Sequence, residues 1–416
     1  MGESPLYRLT NRDLRIDFFR GLSLYMVLVD HVPWDPISRV TYHAFGFSDA
    51  AAIFFFLSGI SCSIAYSRVL ARSGWLALLT AITKRAAKIY FYYLLCSLII
   101  TILAIAAADW ITVWPSLVSI PKDPVNAIRS TIELIGPSPY GFILVIYILL
   151  TLMVIPLFLA GAQYSASLTL GLSGLIWIIS QFYPNLVPYW IDSFNPSLVP
   201  YWINYFNPIA WQFLFSIGMF IGTKYESPPQ LLVTIQRSGL VLMAAWAIVI
   251  LSFLCKHPLF FSSQLHLDLG WLQIPYPMVA KSNLAVVYLL HFLSVALLVA
   301  TYLKASNPMF RWAGSRPFIA AGRRSLELYS LSTVLSVGIF VAGEGASFVG
   351  KVGLDSIAIV LMALTAIALT RPRIENRRHL VVPSRPQQRN RHRLITSSAR
   401  ASSQWHSEVE RYPNRI

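Results

Sequence analysis

Polar groups inside an apolar run are costly to bury, so each is a candidate for function. The run RGLSLYMVLVDH, residues 20–31, holds a fixed cation at one end and an acid–imidazole pair at the other. Arg20 and His31 are eleven residues apart. At 3.6 residues per turn that is almost three turns, so both side chains leave one helix face, about 16 Å apart along the axis. Asp17 lies about 40° from the same line. The stripe Asp17, Arg20, His31 therefore sets a cation at one depth and a base at another. The plainer reading is an Arg20 that snorkels to lipid phosphates and a His31 at the opposite interface.

The next run, FGFSDAAAIFFFLSGISCSIAY, residues 45–66, opens with Ser48 and Asp49. If the connection before it is outside, Asp49 lies at the depth of His31. A carboxylate beside an imidazole fixes its tautomer and steadies its cation, as a general base requires. An acid in a first helical turn is also favoured by the helix dipole alone. Asp30 is the rival partner, but helix neighbours point about 100° apart, so Asp49 is preferred. Ser58, followed by Gly59, allows close helix packing or polar contact. His291 lies about eight residues into its own apolar run, near mid-bilayer, where it serves function or a helix–helix hydrogen bond. In AAGRRSLELYSLS, Arg324 and Glu327 are three apart and can pair. Arg323 with Lys84, Arg85 and Lys88 would make a basic mouth for phosphates. Nucleotide-binding, dinucleotide, zinc-protease and serine-hydrolase motifs are missing from the sequence. The three cysteines, Cys62, Cys96 and Cys255, have no metal-ligand or disulfide spacing, so no metal is expected.

The elements that must position these groups are membrane helices. The chain has 416 residues, 56% hydrophobic and 12% charged, where soluble domains carry about 25% charge. An all-α polytopic membrane protein is expected. Ten apolar runs approach the length that spans about 30 Å of hydrocarbon. They lie near 15–34, 46–67, 86–108, 140–160, 166–182, 207–223, 237–255, 283–303, 322–342 and 353–370. With the N-terminus inside, the short inner segments carry fifteen Lys and Arg and the outer ones six. That bias puts both termini in the cytoplasm. The N-terminus has no short cleavable apolar segment, so the first helix is expected to stay. Residues 1–370 read as one membrane domain. Residues 371–416 hold eleven Arg and three Glu and read as a disordered cytoplasmic tail. Beside a membrane such a tail meets anionic lipid or serves as an inside signal; no nucleic acid is expected as partner. LVPYWIDSFNP at 186–196 recurs as LVPYWINYFNP at 198–208, nine of eleven positions matching. This is a tandem duplication in an outer connection, where insertions are tolerated. Its Trp and Tyr residues suit interfacial anchoring better than sugar stacking.

Five segments, in order, carry a resemblance: RDLRIDFFRGLSLYMVLVDH, FGFSDAAAIFFFLSG, FNPIAWQFLFSIGMFIG, NLAVVYLLHFLS and AGRRSLELYSLS. They resemble the OpgC-type membrane proteins of the wider integral-membrane acyltransferase family 3. The Arg20-to-His31 spacing is similar to a hallmark of that group, and KRAAKIYFYY at 84–93 resembles the basic start of its third helix. The resemblance spans about residues 12–370, with the 186–208 duplication and the basic tail as departures from the family pattern. It implies a ten-helix enzyme of the bacterial inner membrane that moves an acyl group from cytoplasmic acyl-CoA to a sugar outside. For OpgC-type proteins the acyl group is succinyl and the acceptor a periplasmic glucan. Acyl-CoA would be a donor substrate, with no permanently bound cofactor. Its phosphates would lie near Arg20, Lys84, Arg85, Lys88 and Arg323. His31 would take the proton of a sugar hydroxyl, with Asp49 orienting it. A covalent acyl-histidine relay is the variant route. A succinyl donor would need a further cation, for which Lys281 and Arg39 are the outer candidates. Two other readings stand beside this one: a transporter that uses the same stripe, and an acetyltransferase acting on another envelope polysaccharide.

Overall fold

The structure is a computed structural model that describes residues 13–32, 35–109, 115–136, 140–183, 205–225, 228–257 and 276–370. The basic tail and most of the duplication lie outside these residues. Every regular element among them is helical.

Helix α1, Leu14–Asp30, starts at an Asp13 cap whose carboxylate accepts from the Arg15 N–H. It stops at Asp30, four residues short of the expected span. Pro33 supplies the reason, because the residue before a proline is pushed out of helical geometry. Two 3-10 turns, Ile37–Val40 and Tyr42–Phe45, lead to α2, Ala50–Ala106. The second and third expected spans are thus one long element. It breaks at Gly74, whose φ of 74° is left-handed and suits a residue without Cβ. Helices α3, Pro115–Lys122, and α4, Pro124–Ile132, fill the expected outer loop. They pack on α2: Leu117, Ile120 and Ala127 share a cluster with Cys96, Ile100 and Ala104. Tyr90 donates to the Ile132 carbonyl at 3.0 Å, so this segment folds deep along α2 rather than looping free.

Helix α5, Phe142–Leu149, runs through a π-turn at Leu150–Val154 into α6, Ile155–Phe182. Ser165 breaks α6 between the fourth and fifth expected spans. Helix α7, Pro208–Thr223, uses the last residues of the duplication: Asn207 caps it and Pro208 takes its first position. Then come α8, Gln230–Arg237, α9, Gly239–Lys256, and the short α10, Tyr276–Val279. Helix α11, Val286–Tyr302, is followed by α12, Arg316–Arg323, α13, Ser325–Ala342, and α14, Phe348–Thr370. The ninth expected span therefore begins at Ser325; Gly322 and Arg323 belong to α12.

Close backbone approach holds the centre. A Cβ on Gly59 would lie 2.2 Å from the Phe215 carbonyl oxygen, and one on Gly218 would lie 2.2 Å from that of Phe56. Gly218 and Gly222 form the small-xxx-small stripe that lets α7 cross α2. Gly21 and Gly322 do the same for α1 and α12, where a Cβ would meet backbone oxygen at 1.8 Å.

Five helical elements are long and apolar enough to cross a membrane: Ala50–Ala106, Phe142–Phe182, Gly239–Lys256, Ser325–Ala342 and Phe348–Thr370. Pro208–Thr223 and Val286–Tyr302 are shorter apolar helices. Large apolar side chains point outward along them, among them Phe91, Leu98, Leu172, Met243, Ile250 and Leu364. Such a surface suits hydrocarbon and not water.

Candidate active site

His31 caps the C-terminal end of α1. Its ring stacks on Tyr140 with centroids 3.5 Å apart and planes 8° apart. The Tyr140 hydroxyl donates to the His31 carbonyl at 2.9 Å. Tyr140 is itself held by Tyr329, whose hydroxyl donates to the Tyr140 carbonyl at 2.6 Å. Tyr140 has a positive φ of 59°, a conformation that costs a bulky residue energy and marks a constrained position. The His31 Nδ1 is buried and has no hydrogen-bond partner. It is an imidazole nitrogen held in place with its hydrogen-bonding capacity unused.

Asp49 lies at the start of α2, where its carboxylate accepts from the Ala51 N–H at 2.9 Å. Two further groups occupy it: Lys281 Nζ at 2.5 Å and the Tyr288 hydroxyl at 2.9 Å. No hydrogen bond joins Asp49 to His31 among the described residues. Both Asp49 and Lys281 lie within electrostatic range of the His31 ring. The expected orienting contact from Asp49 to His31 is therefore not formed, and the direct partners of Asp49 are Lys281 and Tyr288. Asp30 turns away from His31: it accepts from Thr41 at 2.5 Å and faces His43 Nδ1 at 3.1 Å. Arg39 is exposed.

His291 is buried, 1% exposed. Its Nδ1 meets the Ser48 hydroxyl at 2.7 Å and accepts from the Ser48 N–H at 3.2 Å, and the Ser48 hydroxyl meets that of Tyr42 at 2.5 Å. Helix α11 starts only at Val286, so His291 stands level with the start of α2 and not midway down the bundle. Gly46 packs directly on its Nε2 side.

At the other end of the α1 stripe, neighbours divide the polar groups. Arg20 turns to α2 and donates to the Leu57 carbonyl at 3.3 Å and to the Ser58 hydroxyl at 3.2 Å. Its Nε is buried without a partner. Asp17 turns to α12 and accepts from Arg323 Nε at 3.3 Å. Lys88 pairs with Glu327 at 2.7 Å, and Arg324 stands 4.0 Å from the same carboxylate. Two members of the expected basic mouth, Arg323 and Lys88, thus have acidic partners. Lys84 is exposed, Arg85 is half-buried, and neither forms an ion pair among the described residues. Arg85 lies within electrostatic range of Arg20. Arg85 and Arg20 are thus two neighbouring cations that form no ion pair among the described residues.

The sequence pattern of the OpgC protein family matches residues 12–374. The chain belongs to the OpgC family. Comparison with curated proteins and with solved structures gives no significant match. The matched stretch takes in both ends of the α1 stripe and every site residue above. Sequence reading missed the contacts of Tyr140, Tyr288 and Tyr329, the last of which it places only at the inner end of its span. The first lies in an irregular SPYGF segment that carries no periodic signal. The other two stand in apolar helices, where a tyrosine reads as core.

Proposed function

We propose that this OpgC family member is a transmembrane O-acyltransferase that moves an acyl group, succinyl in the preferred reading, from cytoplasmic acyl-CoA to a hydroxyl of a periplasmic glucan. The observation that carries the reading is His31: a clamped imidazole whose buried Nδ1 has no hydrogen-bond partner, at the end of the helix that bears Arg20 eleven residues earlier. The two outer walls of the site differ in role. Tyr140 fixes the ring plane, while Asp49 supplies negative charge for the imidazolium that forms during transfer.

In this reading the ten apolar segments cross the inner membrane with both termini inside. The breaks at Gly74 and Ser165 support it, because they divide two long elements where the second and fourth spans should end. CoA phosphates meet Lys84 and Arg85, the cations without acidic partners, and the pantetheine arm rises past Arg20 and Ser58. The glucan hydroxyl gives its proton to His31 as its oxygen attacks the thioester carbon. The tetrahedral intermediate collapses, the C–S bond breaks, and the thiolate takes the proton back from the imidazolium. The products are an O-acyl ester and free CoA thiol.

The test is mass spectrometry of envelope glucans from cells with the wild-type protein, without it, and with His31→Ala. Ester-linked acyl groups are expected in the first case alone. Normal acylation by a well-expressed His31→Ala protein would overturn the mechanism.

A further inference from the structure

Acyl transfer develops negative charge on the thioester carbonyl oxygen, and enzymes meet it with pre-positioned donors. We propose, resting on the acyl-transfer reading above, that Lys281 supplies this charge: its ammonium stabilises the oxyanion while His31 holds the proton. The reasons are in how the fold holds this residue.

Lys281 opens a tight turn, residues 280–285, between α10 and α11. Donors from two other helices cap its carbonyls in succession. The Trp211 indole donates to the carbonyls of Lys281 at 3.0 Å and Ser282 at 3.2 Å. The Gln181 amide donates to that of Asn283 at 2.9 Å, and the Trp177 indole to that of Leu284 at 3.0 Å. Asn207 adds its backbone N–H to the Ser282 carbonyl at 2.9 Å and its amide to the Asn283 side chain at 3.1 Å. Leu284 is bent to a φ of 47°, a costly left-handed conformation. Three non-glycine residues have positive φ among the described residues; Tyr140, against His31, and Leu284, in the Lys281 turn, are two of them.

A lysine that only neutralised Asp49 would not need so constrained a turn. The ammonium has three N–H donors. Asp49 takes one at 2.5 Å, and the Phe206 ring lies under the cation at 5.0 Å. The side chain is still 42% exposed, and its charge lies within electrostatic range of His31. Asp49 holds the ammonium in place, and in the proposal Lys281 faces the oxyanion. In the step itself the acceptor oxygen bonds to the carbonyl carbon, its proton passes to His31, and the carbonyl π pair moves onto oxygen beside Lys281. Collapse returns that pair, breaks the C–S bond and sends the proton to the thiolate.

The experiment uses full-length protein in detergent with a glucan oligosaccharide and either succinyl-CoA or acetyl-CoA. Lys281→Met should lower kcat about 100-fold or more for both donors, with KM for each substrate nearly unchanged. Lys281→Arg should restore much of the rate. The double variant Lys281→Met/Asp49→Asn should be no faster than Lys281→Met. Three results would overturn the proposal: wild-type kcat in Lys281→Met, recovery in the double variant, which would make Lys281 only a counterion, or loss confined to succinyl-CoA, which would make it a reader of the acyl carboxylate. If Lys281→Met does not fold, Lys281→Gln replaces it with the same expectations. Absence of transfer by the wild-type protein would instead remove the acyl-transfer reading itself.

Discussion

At the scale of single residues, the proposed site depends on a tyrosine that positions the imidazole and itself takes no proton. Tyr140 does two separable things for His31: its ring stacks and its hydroxyl bonds the backbone. Tyr140→Phe removes one hydrogen bond of about 1 kcal/mol and should slow acyl transfer by less than tenfold. Tyr140→Ala frees the imidazole to rotate and should cost about 100-fold, because small misplacement of a catalytic group is expensive. Steady-state rates of the two purified variants separate the effects; equal losses would contradict the clamp. The residue scale is also where the sequence was least complete. Arg20 and His31 were legible because an apolar run makes any polar residue conspicuous. Lys281 was visible as a charge but had no address, since its turn is built by Trp177, Gln181 and Trp211 from far along the chain. Periodicity cannot report such a contact.

At the scale of elements, helix crossings and caps set where α1 can stand. Gly322 meets the backbone of Asp17, and Gly21 meets that of Phe318. Gly322→Val must push α12 off α1 and break the Arg323–Asp17 pair, costing about 3 kcal/mol or more. A large fall in thermal midpoint in detergent checks this; an unchanged midpoint contradicts the close crossing. The start of α1 is tied as well. Asp13 accepts from Arg15 and from Tyr225 at the end of α7, and Arg15 reaches the Leu303 carbonyl at 3.3 Å. Burial works against the Asp13 charge, but the hydrogen bonds from Arg15 and Tyr225 outweigh it and hold the carboxyl below its usual range. A lowered folded pKa gives stability that is present above the unfolded value, about 4, and is lost as pH falls through the folded one. Asp13→Ala should therefore destabilise by about 1–2 kcal/mol at pH 7, and its deficit should shrink as pH falls below the unfolded value of about 4. Thermal melts across that range read it directly. Most helices were legible from composition, since runs such as FILVIYIL have no other stable form in oil. Their ends were not. Pro33 cut α1 short, and Arg324 separated α12 from α13, through local backbone geometry that hydropathy averages away.

At the scale of the whole molecule, acyl transfer across a membrane needs a direction. The proposed one rests on the charge bias of the short segments, and in that proposal Arg20 marks the donor side and His31 the acceptor side. Reporter fusions test the orientation. A fusion after Thr370 should act as a cytoplasmic reporter, while one at Gly345, between α13 and α14, should act as an external one. Reversed activity would invert the assignment of donor and acceptor sides. The segment of α3 and α4, expected as an outer connection, folds as two short helices packed along α2. Its apolar Leu117, Ile120 and Ala127 are too few and too widely spaced to read as a buried face from sequence.

The most direct measurement places donor and acceptor on opposite sides. The purified protein is inserted in one orientation into liposomes, with acyl-labelled CoA on its cytoplasmic side and glucan on the other. Labelled ester should accumulate on the glucan with wild-type protein and stop with His31→Ala. Transfer only when both substrates share one side, or movement of either across the bilayer without ester formation, would contradict the account.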